Sequence, residues 1–196
     1  LKKEGAKLIA QPVKGTSKRT RKNAVSDEKN KMDLYHSNKD RSENVMIVDL
    51  VRNDLSKVCK EGTVMVEELF GIYSFPQVHQ MISTVSGELK DNISFSDIVR
   101  ATFPMGSMTG APKKRVMELI EQYERTKRGI FSGAVGYISP NGDFDFNVVI
   151  RSILYNSQSG YLSFLTGSGI TFYSDPEKEW EECLLKAEAM KSVFIK

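Results

Sequence analysis

The chain has 196 residues, with 28 Lys and Arg against 25 Asp and Glu, and 40% of its residues are hydrophobic. This length and composition are typical of a globular protein with a full core and exclude wholesale disorder. No apolar run approaches the ~18 residues of a membrane span, so we expect no membrane partner. Cys59 and Cys183 match no zinc spacing and form no disulfide framework, which indicates a reducing, cytoplasmic compartment.

The charge is distributed unevenly along the chain. Residues 1–31 carry ten Lys and Arg against three Asp and Glu, a net charge of +7, and the rest of the chain carries 18 against 22, a net charge of −4. The basic segment has no interleaved aromatic residues, and no nucleic-acid-binding motif follows it. We interpret residues 17–30 as a mobile basic loop, with attraction of a small anion as an alternative, and expect no nucleic-acid partner.

Hydrophobic periodicity and capping signals predict the elements of the first half of the chain. In chain order they are an edge strand over 7–13 that Pro12 ends, a helix over 28–36, a second helix that begins after Ser37, strands over 63–66 and 78–89, and a short helix capped by Ser94. The pairs Ser37 with Asp40 and Ser94 with Asp97 have the spacing of a capping box.

The second half begins with the clearest helical pattern, over 112–128, where proline suits the first turn. Strands are predicted over 134–139, 144–151, 161–166 and 170–173, and a last helix over 174–194. An Asn-Gly pair at 141–142 is typical of the turn between the first two of these strands. Long helices beside an antiparallel meander predict an α+β fold in layers.

Four carboxylates form two pairs at helical spacing. Asp40 and Glu43 lie on one face of the second helix, and Glu179 and Glu182 repeat the spacing on the last helix. Mg²⁺ prefers oxygen ligands, so two such faces at a cleft would suit this ion. The alternative is that these residues only complement the helix dipole, as acidic residues of first turns often do.

Three further features have both a functional and a plain interpretation. The small-residue segment 106–114 opens a helix, where free N–H groups bind anions, but it is also compatible with a simple tight turn. Lys14 lies between Pro12 and Gly15 and becomes a nucleophile only as the neutral amine; otherwise it is a solvated loop residue. Arg151 can clamp a carboxylate or form a cross-strand ion pair.

Together, several stretches resemble the chorismate-utilising enzymes, which include anthranilate, aminodeoxychorismate, isochorismate and salicylate synthases. The stretches are PVKGT (12–16), DRSENVMIVDLVRNDL (40–55), VHQMISTV (78–85), FPMGSMTGAPKKR (103–115), SGAVGYI (132–138), FNVVIRS (146–152), TGSGI (166–170) and DPEKEWEECLLKA (175–187). They follow the family's order over nearly the whole chain. The resemblance implies the family's chorismate-binding domain over 1–196, with antiparallel sheets between outer helices, of which only the C-terminal half is present.

The resemblance also implies roles for individual residues. The Mg²⁺ ligands fall on Glu43 and Glu182, or on their partners Asp40 and Glu179. The residues that bind the substrate, chorismate, fall on Gly15, Ser107, Thr109, Tyr137, Arg151 and Gly169. Thr16 lies beside the reactive Lys14, and these two are the expected catalytic residues.

Lys14 distinguishes the branches of this family. The aminodeoxychorismate synthases resemble PIKGT at this place, whereas the other branches typically have Ala. The implied reaction is amination of chorismate to 4-amino-4-deoxychorismate for folate synthesis, through a covalent intermediate on Lys14, with ammonia from a partner glutamine amidotransferase. The alternative is anthranilate synthase component I, although Gln80 stands where that branch has His, one residue after His79.

The chain begins at Leu1 rather than at Met, and the family's SPE segment with its acid/base Glu is expected upstream. We therefore expect a fragment that is an incomplete catalyst in isolation.

Overall fold

The computed structural model describes residues 1–172 and 174–194. The strands are β1 (Lys2–Glu4), β2 (Lys7–Ala10), β3 (Val13–Lys18), β4 (Met65–Ser74), β5 (Val78–Glu88), β6 (Ala134–Ile138), β7 (Phe144–Val148), β8 (Leu154–Asn156) and β9 (Tyr161–Ser163). The helices are α1 (Ala24–His36), α2 (Asn38–Ser56), α3 (Phe95–Thr102), α4 (Lys113–Tyr123) and α5 (Pro176–Lys191), and Gly106–Met108 form a 3₁₀ turn. These helices and antiparallel strands confirm the α+β prediction.

The chain divides into two compact units. The first comprises residues 1–124 and 136–146, and the second comprises residues 125–135 and the described part of 147–196. Each unit is built from two separate segments of the chain. The prediction of a single domain over 1–196 stays a prediction.

The sheet of the first unit is organised around β5. Its strands follow the order β3-β5-β2-β1-β7-β6, and β4 pairs with the other edge of β5. All the pairings of β5 are antiparallel. Burial alternates in the first half of β5, where His79 and Met81 are buried, and residues 83–87 are all buried; α2 contacts this strand.

The hydrophobic core of the first unit lies between this sheet and helices α2 and α3. Its buried members are Leu8, Val48, Leu55, Val58, Cys59, Val85, Leu89, Ile98 and Phe144. The rings of Phe95, Phe144 and Phe146 pack against one another with centroids 5.3–5.8 Å apart. The predicted capping box of Ser94 and Asp97 is confirmed and fixes where α3 begins.

The predicted basic loop over 17–30 is wrong in extent. Strand β3 continues to Lys18, and α1 begins at Ala24, with the Asn23 side chain accepting a hydrogen bond from the Ser26 N–H. This helix buries little apolar surface, with Leu34 as its buried residue. The helix predicted over 28–36 is confirmed, but it begins four residues earlier, in a polar stretch that lacks hydrophobic periodicity.

Two other predictions need correction. The strand predicted over 7–13 is not an edge strand, because β2 pairs with β1 on one side and with β5 on the other. The helix predicted over 112–128 starts with Pro112 as its N-cap and ends at Tyr123, since Glu124 has an extended backbone.

The second unit contains the hairpin of β8 and β9 and the helix α5. The side chain of Asp175 caps α5, and Pro176 follows in its first turn. Of the strand predicted over 170–173, residues 170–172 form none and residue 173 lies outside the described residues. Within the described part of the chain, no helix is both long and apolar enough to cross a membrane.

Buried His79 connects α1 to the sheet. Its ring nitrogens lie 2.8 Å from Ser74 Oγ and 3.2 Å from Asp27 Oδ1. Burial raises the pKa of Asp27, but hydrogen bonds from the Thr20 N–H, Arg19 and His79 outweigh this effect and hold the pKa below its ordinary value of 3.8. His79 therefore has a structural role in this network.

We predict that Asp27→Asn destabilises the protein at neutral pH and destabilises it less at pH 3. A carboxyl with a lowered pKa in the folded state stabilises that state above its ordinary pKa of 3.8, and this contribution is lost as the pH falls through the lower, folded-state value. Denaturant unfolding of wild type and variant at pH 7 and pH 3 measures the difference. Asp33→Asn, on the exposed face of the same helix, is the control. An equal loss for Asp27→Asn at both pH values contradicts the prediction.

Candidate active site

The first unit brings Lys14 and Glu43 together. Lys14 lies on β3, and its Nζ donates to Glu43 Oε2 of α2 at 3.3 Å. Both side chains are largely buried, with 19% and 14% of their surface exposed. An ion pair with so little exposure is held more firmly than the solvated pairs of a protein surface. Lys14 is thus a fixed side chain rather than a solvated loop residue.

The other carboxylate oxygen of Glu43 lacks a protein partner. Oε1 is buried, and within residues 1–172 and 174–194 it accepts no hydrogen bond. A buried acceptor without a partner costs free energy that a bound cation would offset. The oxygen-only chemistry of this carboxylate fits Mg²⁺.

Gly15 holds the strand close to helices α1 and α2. Its φ is +92°, and a Cβ at this position would lie 3.0 Å from Asp40 Cβ and 3.0 Å from Leu34 Cδ1. The ladder between β3 and β5 is irregular between Val13 and Thr16, which is typical of a β-bulge. The small residue therefore allows Lys14 to approach the helix face that bears Asp40 and Glu43.

The small-residue segment is a structured turn. The Thr109 hydroxyl donates to Met105 O at 3.1 Å, and its N–H donates to Gly106 O at 3.2 Å. Gly110 has a φ of +137° and precedes α4, while Ser107 lies half-buried in the 3₁₀ turn. Both donors of Thr109 are thus used inside the turn, and the first-turn N–H groups of α4 remain as donors for an anion.

Helix α2 also holds this small-residue turn. A Cβ at buried Gly106 would clash with Leu50, so the turn begins directly against the helix. At the other end, Lys113 Nζ donates to buried Asp54 Oδ2 at 2.5 Å, and Lys57 Nζ donates to Oδ1 at 3.0 Å. Asp54 and Lys113 could not be paired from the sequence, because two residues 59 positions apart form no local pattern.

Tyr137, also in the first unit, is placed on β6 and exposes 65% of its surface. An exposed aromatic ring with a hydroxyl is suited to contact a ligand. Its role as a substrate contact stays a prediction.

In the second unit, α5 carries the other predicted carboxylate pair. Glu179 is buried, and Glu182 Oε1 accepts from Lys186 Nζ at 2.6 Å. Lys186 also donates to Gly167 O at 2.8 Å and so ties the TGSGI segment to α5. Lys186 was not predicted as the partner of Glu182, although the i, i+4 spacing of the two residues on a helix favours this ion pair.

Arg151 and Gly169, the two predicted substrate contacts of this unit, lie in irregular segments. Strand β7 ends at Val148, so the predicted strand position of Arg151 is wrong. Arg151 has a φ of +52°, an unusual backbone conformation for a residue with a side chain. Gly169 O accepts from the Ser174 hydroxyl at 3.3 Å.

The four predicted metal ligands are divided between the units, Asp40 and Glu43 in the first and Glu179 and Glu182 in the second. Among the described residues, no three His, Cys, Asp or Glu side chains form a cluster that could hold a metal ion. The four-carboxylate magnesium site stays a prediction, and Glu43 is the ligand whose surroundings support it.

The amino-acid sequence is similar to those of known proteins. A sequence profile of the chorismate binding enzymes matches residues 1–192. The chain is 45% identical over 93% of its length to an aminodeoxychorismate synthase of Arabidopsis thaliana, of which it covers 20%. It is 41% identical over 98% of its length to anthranilate synthase component 1 of Aquifex aeolicus, of which it covers 38%.

A solved structure supports the fold. Anthranilate synthase component I of Streptococcus pneumoniae superimposes with a TM-score of 0.80 at 30% identity, over 96% of this chain and 41% of that one. The chain therefore spans well under half the length of these three proteins.

The orphaned oxygen of Glu43 leads to a prediction about metal binding. Glu43→Gln removes the charge and one of the oxygen ligands, so we expect the affinity of the full-length protein for Mg²⁺ to fall about tenfold or more. Isothermal titration calorimetry with Mg²⁺ alone measures this. Asp49→Asn, which removes a charge from the exposed face of the same helix, should leave the affinity unchanged. An unaltered affinity in Glu43→Gln would remove Glu43 from the metal site.

Proposed function

The chain belongs to the chorismate-binding enzymes, and we propose on that premise that the whole protein converts chorismate to 4-amino-4-deoxychorismate. The observation that carries this proposal is the position of Lys14. A lysine of the PVKGT segment is largely buried and contacts a carboxylate of α2. An amine that is fixed in position beside a candidate cation site is well placed for nucleophilic attack on an anionic ring.

The proposed chemistry uses Lys14 as a nucleophile. Its neutral amine forms a C–N bond to the ring of chorismate as the C–O bond to the 4-hydroxyl breaks, and the proton that the attacking nitrogen loses goes to the departing oxygen, which leaves as water. Ammonia then forms its own bond to the ring, the bond to Lys14 breaks, and a proton passes from the ammonia nitrogen to the Lys14 nitrogen, which regenerates the amine. Contact with Glu43 fixes the direction of the Lys14 side chain before the attack.

The substrate carries two carboxylates, and the chain offers groups for both. Glu43 and Glu182, with Asp40 and Glu179, would hold Mg²⁺, which supplies the positive charge that offsets a substrate carboxylate. Arg151 would pair with the second carboxylate, with Tyr137 and Gly169 as further contacts. Gly15 and Thr16 on β3, and Ser107 and Thr109 in the turn before α4, would form the wall of the site.

Ammonia from a partner glutamine amidotransferase, folate synthesis as the pathway and a cytoplasmic setting remain part of the proposal. The amidotransferase and the pathway are supported by the family alone, and the cytoplasmic setting by the cysteine content of the sequence.

The charge distribution favours an enzyme over a nucleic-acid-binding module. Of the ten cations in residues 1–31, six pair with carboxylates: Lys2, Lys3, Lys7, Lys14, Arg19 and Lys31. A nucleic-acid surface needs cations that are available to phosphates. More than half of the cations of the basic segment thus have carboxylate partners within the fold.

Anthranilate synthase is the second candidate, because a relative of that name is 41% identical to the chain. The two candidates differ in their product. We expect the full-length protein, given chorismate, Mg²⁺ and ammonium, to release 4-amino-4-deoxychorismate, identified by mass spectrometry. Fluorescent anthranilate as the main product would contradict the proposal and establish the alternative.

We further predict that Lys14→Ala lowers kcat of the full-length enzyme by about 100-fold or more, because the covalent route is lost. Steady-state kinetics with chorismate and ammonium measure the effect. Lys18→Ala, an exposed lysine at the end of the same strand, is the matched control and should retain wild-type kcat. Turnover of Lys14→Ala equal to that of the control excludes Lys14 as the nucleophile.

A further inference from the structure

The start of helix α4 is attached to α2 by an ion pair. None of the eleven residues of α4 is buried, and Pro112 supplies no side-chain cap. Lys113, the first residue of the helix, instead reaches α2 and donates to Asp54, which is 3% exposed. The pair lies directly after the turn that contains Ser107 and Thr109. The position of this turn therefore depends on a contact outside it.

Strand β3 and the turn before α4 are both attached to one face of α2. Glu43, Leu50 and Asp54 are separated by seven and four residues, which places their side chains on the same side of a helix. Glu43 contacts Lys14 on β3, Leu50 closes against Gly106, and Asp54 binds Lys113. The turn thus has one attachment at each of its ends, both on the helix face that carries the candidate metal ligand.

We propose that Lys113 and Asp54 are a positioning pair that fixes the turn over 106–112 on α2 in the geometry that chorismate binding requires. This inference rests on the proposed function for its substrate. Neither residue is a catalytic residue, since each acts through the turn. Because Asp54 keeps Lys57 as a second partner, loss of Lys113 releases the turn without leaving the buried carboxylate uncompensated.

Lys113→Met in the full-length protein tests the pair with two readouts. Hydrogen exchange followed by mass spectrometry should show faster exchange in the peptide over 105–112 than in wild type. Because the turn contributes to binding rather than to bond breaking, KM for chorismate should rise about tenfold or more, with kcat within about threefold of wild type. Lys113→Arg, which keeps a cation at this position, should restore both values toward wild type.

Two control variants separate the pair from a general charge effect. Lys114→Met removes the neighbouring, exposed charge and should change neither the exchange nor KM. Lys57→Met removes the other lysine from Asp54 and should leave the exchange of 105–112 unchanged, because Lys57 lies outside the turn.

The proposal is overturned if Lys113→Met leaves exchange and KM at wild-type values, or if exchange rises while KM does not. A change of the same size in Lys114→Met also overturns it. Failure of the proposed function is recognised separately, because wild-type protein then releases anthranilate or turns over no chorismate. KM for chorismate still tests the pair in the first case, and the exchange data alone decide in the second whether Lys113 holds the turn.

Discussion

One face of helix α2 holds two segments of the first unit that are distant in sequence. Strand β3 is attached through Lys14 and Glu43, and the turn before α4 is attached through Gly106 against Leu50 and through Lys113 with Asp54. A helix is rigid over this distance of about 16 Å, so both segments keep a fixed separation. The candidate nucleophile, a candidate metal ligand and the small-residue turn therefore form one structural assembly.

This arrangement explains why glycine and charged residues are found where a core would normally have apolar ones. A Cβ at Gly15 would meet Asp40 of α2 and Leu34 of α1, and a Cβ at Gly106 would meet the side chain of Leu50. Buried Asp54 and largely buried Glu43 cost desolvation free energy that their lysines offset. An apolar interface would hold the same segments at lower cost but would offer nothing to an anionic substrate or its metal ion.

Much of this assembly could be predicted from the sequence, because local rules apply to it. The cap at Ser37 and the capping box at Ser94 follow from short-range spacing, and each is found in the structure. The PVKGT and DRSEN stretches pointed to Lys14 and Glu43, whose contact the structure shows.

The remaining features could not be predicted, since they depend on tertiary contacts. Helix α1 is stabilised by the polar network of Asp27 and His79 rather than by an apolar face. The contact of Lys113 with Asp54 joins residues of two different helices. The positive φ of Arg151 depends on the path that the chain takes after β7. None of these three features leaves a periodic signal in the sequence.

Lys14 binds one carboxylate oxygen of Glu43, and we expect the other oxygen, Oε1, to bind a cation. A crystal structure of the full-length protein with Mg²⁺ and chorismate is the decisive experiment. We expect a metal ion bonded to Glu43 Oε1 and the Lys14 amine directed at the ring of the bound substrate. A metal ion with no contact to Glu43, or a Lys14 side chain turned away from the substrate, would contradict it.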